Sequence, residues 1–141
     1  MDEQLNLDLK NDLHNQFSKI MKLHQYAFEK LEVWKKSKEL VKIIYTSTEH
    51  FPKSEMFGLT QQMRRASVSV ASNLAEGSAR KTNKDKAHFT TIAYSSLMEL
   101  LNQSIIAMEL GYLKEEDYEC VRQEIQLISY MLNSLRNSQE E

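Results

Sequence analysis

The sequence is short of the residues that break or cross-link a chain: its 141 residues include one proline, three glycines and one cysteine. So few turn-forming residues favour a small number of long elements with short connections, and argue against β-sandwiches and glycine-rich phosphate loops. The lone cysteine, Cys120, excludes an intrachain disulfide and is typical of a reducing compartment. Because this length is enough to bury one core, we expect a single domain. The reducing compartment that the lone cysteine indicates is most simply the cytoplasm.

Long apolar runs are lacking as well. No stretch of about 18 apolar residues predicts a transmembrane helix, and no basic segment followed by an apolar one opens the chain as a secretory signal would. The apolar fraction of 41% and the charged fraction of 27% are ordinary for a soluble globular protein. We therefore expect no association with a membrane.

Catalytic and metal-binding motifs are also lacking. No histidine has a second histidine or a cysteine at ligand spacing, and no Glu-x-x-His motif of the di-iron kind occurs; the four histidines are His14, His24, His50 and His88. Cys120 lies beside an apolar helical stripe, which predicts a buried, unreactive thiol. We expect no enzymatic activity, no metal and no cofactor.

Charge is unevenly distributed, although the net charge is only −2. Residues 1–20 have two lysines and four acids, a net charge of −2. Residues 21–108 have 13 basic residues and eight acids, net +5, and residues 109–141 have three basic residues and eight acids, net −5. Either these charges solvate helix faces, or the basic middle meets an acidic partner such as nucleic acid.

The most regular stretch is 61–77, which its apolar spacing predicts to be a helix. Its core stripe consists of Leu59, Met63, Ala66, Val70, Asn73/Leu74 and Gly77. A second strip, roughly 130° around the helix, consists of Arg64 and three small residues, Val68, Ala71 and Ala75, which we expect to form an oligomer interface. A polar line consists of Arg65, Ser69, Ser72 and Glu76. Thr60 is the expected N-cap and Gly77 the expected C-terminal glycine.

Similar periodicity predicts helices over about 29–50, 83–110 and 115–138. The first has its stripe at Leu31, Trp34, Val41, Ile44/Tyr45 and Thr48, broadened by Val33, Leu40 and Ile43. Thr82 with Asp85 resembles a capping box at the start of the second, and Gly111 ends that helix. Because the connections are short, sequential helices should be antiparallel neighbours. The expected fold is all-α, an up-down-up-down antiparallel four-helix bundle over residues 28–138.

Residues 1–27 are an N-terminal extension whose structure the sequence leaves open. Apolar residues recur there at helical spacing, at Leu9, Leu13, Phe17, Ile20 and Met21, which favours a short amphipathic helix. The asparagines and charges around them favour a loosely docked, disordered arm instead.

Basic residues are the candidate binding site. Two of them, Arg64 and Arg65, flank the core stripe of the 61–77 helix, and four more cluster in one connection: Arg80, Lys81, Lys84 and Lys86. Such side chains neutralise phosphates without reading base sequence. Because no aromatic residue lies within 80–86, base stacking is not expected there. The alternative is that these charges only solvate the surface.

Four segments carry a resemblance to a known family: 28–34 (FEKLEVW), 51–60 (FPKSEMFGLT), 62–77 (QMRRA, then Ser69, Asn73 and AEG) and 95–100 (SSLMEL). Across about 28–136 the chain resembles small bacterial four-helix-bundle proteins that include those encoded by intervening sequences in 23S ribosomal RNA genes. Relatives of that family include the accessory variability protein of diversity-generating retroelements.

The resemblance implies a bundle that assembles into a ring-shaped homopentamer without enzymatic activity. For the retroelement relatives it implies nucleic-acid binding through a basic surface and association with a reverse transcriptase. The chain departs from the family in two ways: Ala71 stands where members often have proline, and the pI near 6.1 is far below that of the strongly basic retroelement proteins. We expect a non-enzymatic homo-oligomer that binds RNA or DNA without sequence specificity; the alternative is a scaffolding oligomer that binds only protein.

Overall fold

The structure, a computed structural model, describes residues 2–21 and 23–141. Met1 and Lys22, which belong to the predicted N-terminal extension, lie outside these described residues. Within them the chain is all-α, with five α-helices and no strand: α1 Asp2–Ile20, α2 Glu32–Thr48, α3 Leu59–Ser78, α4 Asn83–Glu109 and α5 Glu115–Glu140. Short 3₁₀ turns, Ala27–Lys30 and Lys53–Glu55, precede α2 and α3.

Helices α2 to α5 share one apolar core. Helix α3 packs against α2 and α4, and α5 packs against α4 and α2. The start of α3 meets the end of α2, where the Arg64 Nε donates to the Thr48 Oγ1 at 3.0 Å. The start of α4 meets the end of α5, where the Thr90 Oγ1 donates to the Gln139 Oε1 at 2.7 Å. Each of these four helices therefore has two helical neighbours.

The predicted core stripe of α3 is confirmed. Its buried apolar members are Leu59, Met63, Ala66, Val70 and Leu74, and Gly77 is buried with them. Gly77 lies near the end of α3, as predicted, but it is not the C-terminal cap, because α3 continues to Ser78 and Gly77 has no positive φ. Its role is a close approach: a Cβ built there would lie 2.7 Å from the Cβ of Phe89 on α4. The missing side chain lets α3 and α4 pack closely.

The predicted N-cap is confirmed for α4 but not for α3. Thr82 is the N-cap of α4, and its Oγ1 accepts from the Asp85 backbone N–H at 3.1 Å. Thr60 is not the N-cap of α3, since that helix begins one residue earlier, at Leu59. There the Glu55 Oε2 accepts from the Leu59 N–H at 2.9 Å, so a carboxylate in the preceding turn satisfies the free backbone donor.

The predicted stripe of α2 is confirmed at Ile44 and Thr48, with Val33 and Leu40 beside them, but not at Trp34 or Tyr45. The buried face consists of Val33, Ser37, Leu40, Ile44 and Thr48, while Tyr45 is exposed and Trp34 is half-buried against the core. Two hydroxyl residues are buried on this face because each hydroxyl donates a hydrogen bond to a carbonyl of the same helix. Ser37 donates to the Val33 carbonyl and Thr48 to the Ile44 carbonyl, both at 2.7 Å.

Helix α5 buries Val121, Ile125, Ile128 and Leu132, which recur at three- and four-residue spacing. The prediction of a buried thiol at Cys120 is wrong, because this residue is exposed. Consecutive helical residues point about 100° apart, so a core position at Val121 directs its neighbour away from the core.

The N-terminal extension forms helix α1, which was one of its two predicted alternatives. No residue of α1 is buried. Among the described residues, α1 makes no packing contact with another element. Its apolar side chains are therefore open to solvent, and Leu13, Phe17 and Ile20 are 64%, 64% and 82% exposed.

Candidate functional site

The predicted site residues lie at two separate places on α3 and α4. Arg64, Arg65 and Val68 line one groove beside the start of α3. Residues 80–86, which we call the basic turn, comprise the end of the connection after α3 and the first four residues of α4. Fifteen residues separate Arg65 from Arg80, or about 22 Å along a helix axis at 1.5 Å per residue. One compact ligand therefore cannot contact all six predicted basic residues.

The arginine groove has a volume of about 510 Å³ and lies between the end of α2, the 56–57 turn and α3. Its lining consists of Tyr45, Met56, Phe57, Thr60, Gln61, Arg64, Arg65, Val68 and Ser69. Phe57 is 86% exposed, and Met56 and Tyr45 are exposed beside it. The groove thus combines apolar side chains open to solvent with two arginines and no acidic residue.

Arg64 is largely occupied by contacts within the chain. Its Nε donates to the Thr48 Oγ1 at 3.0 Å and its Nη2 to the Tyr45 carbonyl at 3.4 Å. Its guanidinium also lies over the Tyr45 ring, 4.6 Å from the centroid. A cation at the last turn of a helix is favoured by the helix dipole, so Arg64 stabilises the end of α2.

Arg65 is different, although it is the next residue. It is exposed, and neither of the two ion pairs found in the described part of the chain involves it. Those pairs are Lys35–Glu32 and Lys42–Glu39 on α2. Of the two groove arginines, Arg65 is the one placed to meet an anionic partner.

The predicted interface strip has its most exposed member in the groove. Val68 is 39% exposed, and Ala71 and Ala75 are half-buried farther along α3. The polar line beside it is divided: Arg65, Ser72 and Glu76 are exposed, but Ser69 is half-buried. Its hydroxyl and that of Ser96 on α4 share a hydrogen bond of 2.8 Å.

Asn73 completes this polar contact between α3 and α4. Its Nδ2 donates to the Ser69 carbonyl at 2.8 Å and lies 3.1 Å from the Ser69 Oγ. The three side chains satisfy one another at the edge of the core, which gives Asn73 a structural role.

The basic turn presents a group of cations at the start of α4. Arg80, Lys81 and Lys84 are exposed and Lys86 is half-buried. The Arg80 guanidinium lies over the Phe89 ring, 4.6 Å from the centroid. The free backbone N–H groups of the α4 N-terminus add positive potential at the same place, so the turn favours anions such as phosphate.

Residues 2–21 and 23–141 contain neither a candidate metal site nor a membrane-spanning helix. No group of three or more His, Cys, Asp or Glu there is close enough to hold a metal ion. No helix in this part of the chain is long and apolar enough to cross a membrane. The arrangement is suited to contacts with apolar surfaces and anions.

Sequence reasoning missed the apolar wall of the groove at Met56 and Phe57. A signal for it was present: these two adjacent apolar residues lie between predicted helices, where neither helical stripe uses them. Large apolar residues in a short connection that no core requires often mark an interaction surface.

Comparison with known proteins identifies the family. A family model described as 23S rRNA-intervening sequence protein matches residues 29–134. The chain belongs to this family. Its fold is similar to the crystal structure of a protein of unknown function from the S23 ribosomal protein family of Bacteroides thetaiotaomicron VPI-5482. That structure has 22% identity and a TM-score of 0.68, over 74% of this chain and 95% of that one. A search of curated proteins found no match.

The family match includes the helices that share the apolar core but not α1. The 23S rRNA-intervening sequence protein match covers α2 to α4 and most of α5, with both the arginine groove and the basic turn. Helix α1 lies outside it. At 22% identity the solved structure shows a shared fold.

Proposed function

We propose that this member of the 23S rRNA-intervening sequence protein family is a non-enzymatic cytoplasmic homo-oligomer that binds nucleic acid without sequence specificity. A pentamer is the expected assembly. The observation that carries the proposal is the exposed apolar surface of the arginine groove, where Phe57 is 86% exposed and Val68 39%. Apolar side chains exposed together in this way are typical of protein interfaces.

The proposed subunit is an up-down-up-down antiparallel four-helix bundle. Two contacts support this arrangement, since Thr48 at the end of α2 bonds Arg64 near the start of α3, and Thr90 near the start of α4 bonds Gln139 at the end of α5. Packing of α2 on α5 closes the set of four. Short connections between consecutive helices favour the same topology.

Self-association is tested by placing charge on the proposed interface. Val68→Glu would bury a carboxylate between subunits, which costs association free energy because the charge is desolvated without a partner. Ser72→Glu, on the exposed polar line of the same helix, is the matched control. We expect sedimentation velocity to show a smaller species for Val68→Glu and unchanged assembly for Ser72→Glu. Equal masses for both variants would remove Val68 from the interface.

Nucleic-acid binding is assigned to the basic turn, with Arg65 as a second contact. The exposed Arg80, Lys81 and Lys84 lie at the N-terminus of α4, so charged side chains and backbone donors act on the same phosphate. Several copies in one assembly multiply these charges, so a subunit with net charge −2 still presents a strong local positive field.

Fluorescence anisotropy with labelled single- and double-stranded DNA and RNA tests this assignment. We expect affinity to fall with salt with a log-log slope of about −0.7 to −0.9 per phosphate contacted. Replacing the basic turn's four cations, Arg80, Lys81, Lys84 and Lys86, by glutamine should weaken all nucleic acids alike while the oligomer persists. The matched control is glutamine at Lys35, Lys36, Lys38 and Lys42 on α2, which also removes four cations. Equal loss in both variants would point to bulk charge and not to the basic turn.

The second candidate is a scaffolding oligomer that binds protein partners only. The observation that favours it is the acidic C-terminal part, residues 109–141, with three basic residues and eight acids. The negative charge of this part repels a polyanion, so it would weaken the binding of nucleic acid. In the retroelement interpretation the protein partner is a reverse transcriptase. Absence of binding at low salt in the anisotropy titration would select this second function.

A further inference from the structure

Helix α1 exposes an apolar face that its own chain leaves uncovered. Leu5, Leu9, Leu13, Phe17 and Ile20 are all more than half exposed. At 100° per residue these five fall within about 120° of arc, so they form one continuous stripe. A helix with such a stripe gains most of its stability by burying it, which α1 does not do against α2 to α5.

One border of this stripe has two acidic residues, with Lys19 on the same side near the C-terminal end of α1. Asp8 and Asp12 are four residues apart and lie next to the apolar arc on one side. Each carboxylate accepts from a glutamine of the same helix: Gln4 to Asp8 at 3.1 Å and Gln16 to Asp12 at 3.5 Å. Residues 1–20 as a whole have four acids and two lysines, a net charge of −2.

The arginine groove has the complementary character. Its wall of Tyr45, Met56, Phe57 and Val68 is apolar and exposed, and its charges are two arginines with no acid among the lining residues. The groove follows α3 from Thr60 to Ser69, about 14 Å at 1.5 Å per residue. On α1, Leu9 to Phe17 span about 12 Å at the same rise, so the central apolar turns match the groove in length.

We propose that α1 of one copy docks into the arginine groove of a second copy, with its apolar stripe on Phe57 and Val68 and its acidic border facing Arg65. This is the helix-in-groove mode of recognition, in which residues at three- and four-residue spacing supply the anchors. The inference rests on the proposed self-association and adds a segment that the family match does not include. Its partner is a second copy because α1 makes no packing contact with its own chain in the described residues.

Disulfide trapping between two differently tagged full-length chains tests the exchange, in a Cys120→Ser background that leaves no native thiol. One chain carries Leu9→Cys, Leu13→Cys or Phe17→Cys, one at a time, and the other carries Phe57→Cys. Docking raises the local thiol concentration, so the best of the three pairs should cross-link at least about tenfold faster than undocked thiols. The matched control replaces Phe57→Cys by Tyr130→Cys, at an apolar residue on α5 that is 71% exposed.

Three outcomes decide between the possibilities. Rapid cross-linking between the two tagged chains supports the exchange, and it should slow when Arg65→Glu is added. If Leu13→Cys with Phe57→Cys in one chain cross-links only within that chain, α1 covers its own groove and the exchange is wrong. Control-level rates for all three pairs also overturn it. A mass above 16.5 kDa alongside either failure leaves the proposed self-association intact, whereas a 16.5 kDa monomer removes both.

Discussion

Gly77 on α3 and Phe89 on α4 lie so close that a Cβ at position 77 would be 2.7 Å from the Phe89 Cβ. Since the Phe89 Cβ is fixed to the α4 backbone, relief requires the two helices to separate. We expect Gly77→Ala to destabilise the fold by about 1–3 kcal/mol through overpacking, despite the gain in helix propensity of up to about 1 kcal/mol. Chemical denaturation measures this loss. Ser72→Ala, exposed on the same helix, is the control, and a stability gain at Gly77→Ala equal to that of the control would contradict the close approach.

Ala66 tests the packing of the core stripe of α3. It is 3% exposed on the core stripe, so Ala66→Leu should cost about 1–3 kcal/mol because the added methyl groups have no space. Ser72→Leu adds similar bulk at an exposed position and should change stability by less than about 0.5 kcal/mol. Urea denaturation midpoints compare the two variants. Equal midpoints would mean that the faces of α3 are assigned wrongly.

Arg64 and Arg65 are adjacent in sequence but differ in role. Arg64→Lys keeps the charge but loses the fork that reaches Thr48 and Tyr45, so we expect a loss of about 1 kcal/mol. Arg65→Lys, at an exposed position, should leave stability unchanged. Thermal unfolding of both variants at one ionic strength checks this contrast. If the two lysine variants unfold alike, the contacts of Arg64 contribute nothing measurable.

Gln103 is an internal defect on α4. It is 4% exposed, and its Nε2 donates to the Glu99 Oε1 at 3.1 Å, while its own Oε1 has no hydrogen-bond partner among the residues that the structure describes. A buried carbonyl without a partner costs about 1–3 kcal/mol. Gln103→Met has a similar shape and no amide, so we expect it to raise the denaturation midpoint. A lowered midpoint would show that the amide has a partner in the assembled protein.

The sequence predicted the extents of α3, α4 and α5 well because helical apolar spacing runs along the length of each and capping or turn signals mark most of their ends. Their bounds in the structure differ from the predicted ones by two residues or fewer. Helix α2 was predicted only in part, since its buried face includes Ser37, whose hydroxyl donates to the Val33 carbonyl of its own helix. A pattern of apolar residues alone assigns such a serine to solvent and places Val41 and Tyr45 on the core face instead.

The candidate site was only partly predictable. Basic residues are visible in the sequence, but their distribution between two places about 22 Å apart depends on the length of α3. That Arg64 serves the end of α2 while Arg65 faces solvent follows from packing against Tyr45 and Thr48. Spacing alone also leaves open whether the apolar face of the N-terminal helix is covered.

The mass of the full-length protein in solution is the most direct test of the central claim, which is self-association. Light scattering coupled to size-exclusion chromatography at micromolar concentration measures it without assumptions about shape. We expect a single species of about five times the 16.5 kDa chain mass, as a pentamer requires. A 16.5 kDa monomer that persists as concentration rises would contradict the proposed function.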